Sequence, residues 1–103
     1  MSYISSVNLF NWDKDKNDWL KKTRSIGFED IIFLISEGYL IEIIKNPSDK
    51  YKGQMMFVIN FNDYIYLVPF VENEKEIFLK TIIPSRKATK KYLRGKNNEK
   101  KSE

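Results

Sequence analysis

Two apolar, β-rich runs at residues 54–61 and 64–71 are separated only by Asn62-Asp63. A two-residue link of this kind predicts a tight antiparallel hairpin, because Asn and Asp tolerate the left-handed backbone that such a turn requires. A third β-rich run, Y-L-I-E-I-I-K at 39–45, leads into a polar loop at 46–53 that opens on Asn46-Pro47. Residues 72–75 read as a second turn and 76–83 as the last strand. Pro69 removes a ladder donor from a middle strand, so a bulge or a sheet edge is expected beside it.

The N-terminal part reads differently. Residues 10–12 are extended, and Asp13 caps a polar helix over 14–24 with Trp19 and Leu20 facing inward, ending near Ser25. Phe28, Ile31, Ile32 and Ile35 fall at i, i+3, i+4 and i+7, one face of a second helix running from Gly27 to Glu37. Glu29 and Asp30 suit its first turn, and Gly38 its left-handed stop. Beyond Pro84, residues 85–94 form a short basic helix, and 96–103 are expected to be disordered. The predicted class is α+β: two N-terminal helices packed on one face of a curved four-stranded antiparallel sheet, with a short C-terminal helix and the other sheet face open to a ligand. A single domain spans 1–95.

Residue types narrow the chemistry. The chain has 103 residues and neither cysteine nor histidine. Disulfides, thiolate zinc sites, imidazole bases and Ser-His-Asp triads are thereby excluded. The four glycines are scattered, so no phosphate-cradling loop is present. Neither metal nor cofactor is expected. The paired carboxylates, Asp13-Asp15 and Glu29-Asp30, are explained by helix N-termini. No secretory signal or membrane-spanning run is visible, which gives the expectation of a soluble cytoplasmic protein with no membrane partner.

Charge is distributed unevenly. From Lys80 onward there are nine Lys or Arg against two Glu, whereas the preceding residues are slightly acidic. A basic end on an acidic body suggests a polyanionic partner. In a helix beginning near Ser85, Arg86, Lys90 and Arg94 lie four apart on one face, with Lys87 and Lys91 beside them and Lys80 on the preceding strand. Such a cluster can hold RNA phosphates and stabilise charge on a phosphorane-like transition state. Tyr51, Tyr64, Tyr66 and Tyr92 can stack bases, although each also suits ordinary sheet packing.

The stretch T-I-I-P-S-R-K-A-T-K-K at 81–91 resembles the strand-to-helix end of BrnT-type toxins, whose pattern is roughly I-I-S-A-R-R-A-T-R-R. The segment F-N-W-D ending at Asp13, followed fifteen residues later by F-E-D from Phe28, is similar to the W-D and F-E-D frame of the same family. The resemblance covers about residues 8–94 and is most specific at the two ends. It implies a RelE-like fold and the toxin of a type II toxin–antitoxin pair. Such a toxin is a metal-independent endoribonuclease, neutralised by a ribbon-helix-helix-type antitoxin and meeting DNA only through the antitoxin complex. Arg86, Lys87, Ala88, Thr89 and Lys90 occupy the family's helix positions. On this reading Arg86, Lys80 and Arg24 are the catalytic set, and Lys87, Lys90, Thr89, Tyr66 and Tyr92 contact RNA. The chain departs from the family at Arg24, which stands where the family has His, and at Pro84, Ser85, Thr81 and Tyr92. Arg is a poor proton acceptor at neutral pH. The alternative is therefore a module of the same fold that binds an antitoxin or RNA without cleavage.

Overall fold

The computed structural model describes residues 9–94. The expectation for the tail at 96–103 lies outside them. In chain order the elements are β1 (Leu9–Trp12), α1 (Lys14–Arg24), α2 (Phe28–Ser36), β2 (Leu40–Lys45), a 3₁₀ turn (Asp49–Tyr51), β3 (Met55–Phe61), β4 (Tyr64–Glu72), β5 (Glu76–Leu79), β6 (Ile83–Pro84), α3 (Arg86–Thr89) and a π-helical turn (Lys90–Arg94). The α+β class is as the sequence implies. No helix among the described residues is long and apolar enough to cross a membrane.

The β3–β4 hairpin forms as expected, in continuous register from Met55↔Phe70 to Phe61↔Tyr64. Asn62 and Asp63 both take left-handed φ, 54° and 61°, as a two-residue turn matching the strand twist demands. The sheet runs β1-β5-β4-β3-β2, with β6 on β4. It is therefore mixed and longer than the four antiparallel strands expected, because β1 pairs parallel with β5. A four-residue strand carries no periodicity that names its partner. Here the intervening helices and strands supply the long connection that parallel pairing requires.

The expected strand at 76–83 is split in two. Phe70 pairs Leu79 while Leu67 pairs Ile83, so three steps along β4 face four on the other side. The extra residue is a bulge beside Pro69. Pro69 accepts a hydrogen bond from the Lys80 N–H at 2.8 Å but has no N–H to return. The ladder therefore lapses at 80–82.

On one face of the sheet, Phe57, Ile59, Val68, Phe70, Ile77 and Leu79 pack against Leu20, Ile26, Phe28, Ile31 and Leu34 of the α1–α2 region. The Phe57 and Phe70 rings stack at 4.1 Å. The opposite face is not left open. Val58 and Ile65 are covered by Ala88, with Ile44, Leu67, Tyr92 and Leu93 around them. The helices thus lie on both faces, since Ala88 and Leu93 give the basic segment an apolar side of its own. Trp19 also departs from expectation: it is 45% exposed, and Leu20 alone of the pair is buried.

The two N-terminal helices are joined by side-chain capping. The Asp13 carboxylate accepts from the Lys16 N–H at 2.9 Å, and Ser25 ends α1 at φ 58°. The Asp30 carboxylate accepts from the Gly27 N–H at 2.8 Å. Asn17 reaches across from α1: its Oδ1 accepts from the Phe28 N–H at 2.7 Å, and its Nδ2 donates to Glu29 Oε1 at 3.0 Å. That Asn17 hydrogen bond is the main cause holding the Glu29 carboxyl below its ordinary range, with Lys21 adding to it and burial opposing. Gly38, at φ 92°, turns the chain out of α2.

Asn17→Ala removes the acceptor for a buried N–H and is expected to cost about 1–3 kcal/mol. Urea denaturation checks this through a lower midpoint with an unchanged m-value.

Candidate nucleic-acid interface

The basic segment is rooted by two hydroxyls. Ser85 Oγ accepts from the Ala88 N–H at 3.0 Å and caps α3. The Ser85 N–H donates to the Ile65 carbonyl at 3.0 Å. Thr89 is 2% exposed. Its hydroxyl accepts from the Ile65 N–H and donates to the Ser85 carbonyl, each at 2.8 Å. The residues R-K-A-T thus form a turn whose inner positions, Ala88 and Thr89, are buried while Arg86, Lys87 and Lys90 are exposed.

Arg86 and Lys90 stand one turn apart and, with Tyr64 and Thr89, line a cleft of about 390 Å³. The Tyr64 ring meets Tyr66 edge-on at 5.8 Å. From Lys90 the helix widens into a π turn, so the four-residue stripe expected for Arg86, Lys90 and Arg94 does not continue with α-helical geometry past Lys90. The side chain of Arg94 lies outside what is described. Turns of this kind are frequent at functional sites.

The other sequence candidates stand elsewhere. The Arg24 guanidinium donates to the Ile82 carbonyl in the bulge and lies 5.2 Å from the Trp19 ring centroid. Lys80 is exposed, its ammonium 5.4 Å from the Phe78 ring. Tyr66 is half-buried and packs with the core on the α1–α2 side. The Tyr92 hydroxyl donates to the Glu42 carboxylate of β2. That hydrogen bond, aided by burial and the nearby charge, pushes the Tyr92 phenol up to about 12. Thr89 is a wall of the cleft, and its hydroxyl is occupied by main-chain bonds. The structure therefore brings together Arg86, Lys90 and Thr89, leaves Lys87 on the exposed side of the same turn, and keeps Lys80, Arg24, Tyr66 and Tyr92 off the cleft lining.

Tyr64 joins the site although sequence reasoning placed it only among the stacking tyrosines. Its position immediately after the Asn62-Asp63 turn, opposite Phe61, was the available signal. Among the described residues, no group of three or more Asp and Glu side chains is arranged to hold a metal ion. No family model, curated protein or solved structure matches the chain.

Two outcomes are expected. Thr89→Val keeps the side-chain shape but strands the Ile65 N–H, lowering stability by about 1–3 kcal/mol; Thr89→Ser, measured in the same urea titration, retains most of it. The Tyr92 phenol is raised in the folded state, so its contribution to stability is full below the ordinary phenol range near pH 10 and is lost as pH rises toward about 12. Thermal melts across that window should show a steeper alkaline decline for wild type than for Tyr92→Phe.

Proposed function

We propose that this chain is the toxin of a type II toxin–antitoxin pair, a RelE-like, metal-independent endoribonuclease held in check by a DNA-binding antitoxin of ribbon-helix-helix type. The observation that carries the reading is the pair Arg86 and Lys90 at one cleft, beside Tyr64, on a turn that Ser85 and Thr89 fix to the sheet. A guanidinium holds two phosphate oxygens at once, whereas an ammonium acts as a point charge. Placed on either side of one phosphate, they stabilise the charge that builds as the 2′-oxygen attacks phosphorus. The P–O2′ bond forms and the P–O5′ bond breaks. The 2′-hydroxyl proton passes to solvent, and the departing 5′-oxygen takes a proton from the Lys90 ammonium, which solvent then restores. An antitoxin covering this cleft with carboxylates blocks RNA entry.

A second reading has its own support. The cleft lining, Tyr64, Arg86, Thr89 and Lys90, offers no carboxylate or imidazole, and Arg24, at the position of the family's His, is engaged with Ile82 and Trp19. This favours binding RNA or an antitoxin without cleavage.

Induced expression and assays on purified protein with RNA in the presence of chelator separate the readings. For the nuclease, wild type arrests growth and cuts RNA, and Arg86→Ala lowers the rate about 100-fold or more. Intact RNA with Arg86-dependent, salt-sensitive binding selects the non-cleaving module. Unaltered growth with no RNA binding by wild type overturns the nuclease and the RNA-binding form of the module.

A further inference from the structure

α1 carries an exposed indole with two cations on it. Trp19 is 45% exposed; the Lys16 ammonium lies 4.8 Å and the Arg24 guanidinium 5.2 Å from its ring centroid. The other cations of this helix are differently placed. Among the described residues Lys14 pairs with Asp18 and Lys21 with Glu29; Lys16, Lys22 and Arg24 belong to neither pair, and of these three Lys16 and Arg24 are the two that lie against the indole. A large aromatic surface is therefore held in water, inside a positive field, on a helix whose packing needs are met by Leu20 and Asn17.

We propose that Trp19, Lys16 and Arg24 form a second contact for single-stranded RNA, with a base stacked on the indole and the flanking phosphates taken by the two cations. This rests on the RNA-directed reading of the α3 cleft and extends it. Arg24 ties the platform to the Ile82 carbonyl, and only three residues separate Ile82 from Arg86. At no more than about 3.6 Å per residue, the main chain between them spans about 14 Å or less. Among the described residues β6 pairs only with β4, so the bulge and β6 form an edge of the sheet. α1 lies on one face beside that edge and α3 on the other. A strand leaving Arg86 and Lys90 crosses this edge to reach Trp19. Base stacking on an aromatic exceeds a solvent-exposed cation–π contact, so an arriving base displaces Lys16 from the ring toward phosphate. An acidic polypeptide would satisfy the cations but would leave the indole face unused.

The test titrates oligouridylate into a Trp12→Phe variant, in which Trp19 is the remaining indole, and follows its emission. Inorganic polyphosphate supplies charge without bases. The expected result is quenching by oligouridylate and none by polyphosphate. Trp19→Ala should weaken oligouridylate binding about tenfold and leave polyphosphate binding unchanged, with Trp19→Phe recovering part of the loss. If Trp12→Phe does not fold, the difference in quenching between wild type and Trp19→Ala reads the same contact. Oligouridylate bound at full affinity by Trp19→Ala, in an Arg86-dependent manner, overturns the platform while leaving the cleft reading intact. Absence of all RNA binding by wild type overturns both. Quenching by polyglutamate with tighter binding than oligouridylate reassigns the surface to an acidic protein and overturns the proposal.

Discussion

Burial of both faces of β3 is the constraint around which this molecule is organised. Phe57 and Ile59 face α1 and α2, while Met56 and Val58 are buried on the reverse side. A one-residue slip against β4 would exchange the two sets, so the register is held by packing as well as by the turn. Removing a ring such as Phe57, which is fully buried, carries a cost on the order of 3–5 kcal/mol, a large share of the margin available to a domain of this size. The two helical layers follow from the same constraint, because each exists to cover one side of β3 and β4.

The proline in β4 then shapes the surface. Where Pro69 fails to return a hydrogen bond, the facing chain bulges and lifts the 80–82 segment out of the ladder. The freed Ile82 carbonyl finds a donor in Arg24 from α1. The chain then rejoins β4 for two residues and enters α3 through Ser85. A missing N–H in the sheet is thus linked, residue by residue, to the position of the basic turn.

Much of the fold is legible in local chemistry. Asp13, Gly38 and the Asn62-Asp63 turn act through their own backbone neighbourhood, and each does what its residue type implies, whereas Ser25 takes a left-handed φ that its residue type does not favour. An irregularity beside Pro69, a bulge or a sheet edge, was likewise visible, and it takes the form of a bulge. What the sequence did not disclose was set by distant partners: the parallel β1–β5 pairing, the reverse-face docking of α3, and the exposure of Trp19. For the candidate site, R-K-A-T pointed to the right turn. Charge alone could not say that Arg24 would bond to Ile82 or that Tyr92 would bond to Glu42, since both depend on long-range contacts. Thr89 illustrates the difference. Its place in the motif was legible, but its hydroxyl serves the main chain.

The rooting of α3 divides labour between uncharged and charged residues. Ser85, Ala88 and Thr89 fix the turn to the sheet, while the neighbouring Arg86, Lys87 and Lys90 project outward. Because the anchors carry no charge and the charges do no anchoring, selection can rewrite the outward positions one at a time without endangering the frame that presents them. The turn is in this sense an exchangeable face on a permanent mount, and a lineage could retune its polyanion preference faster than its architecture.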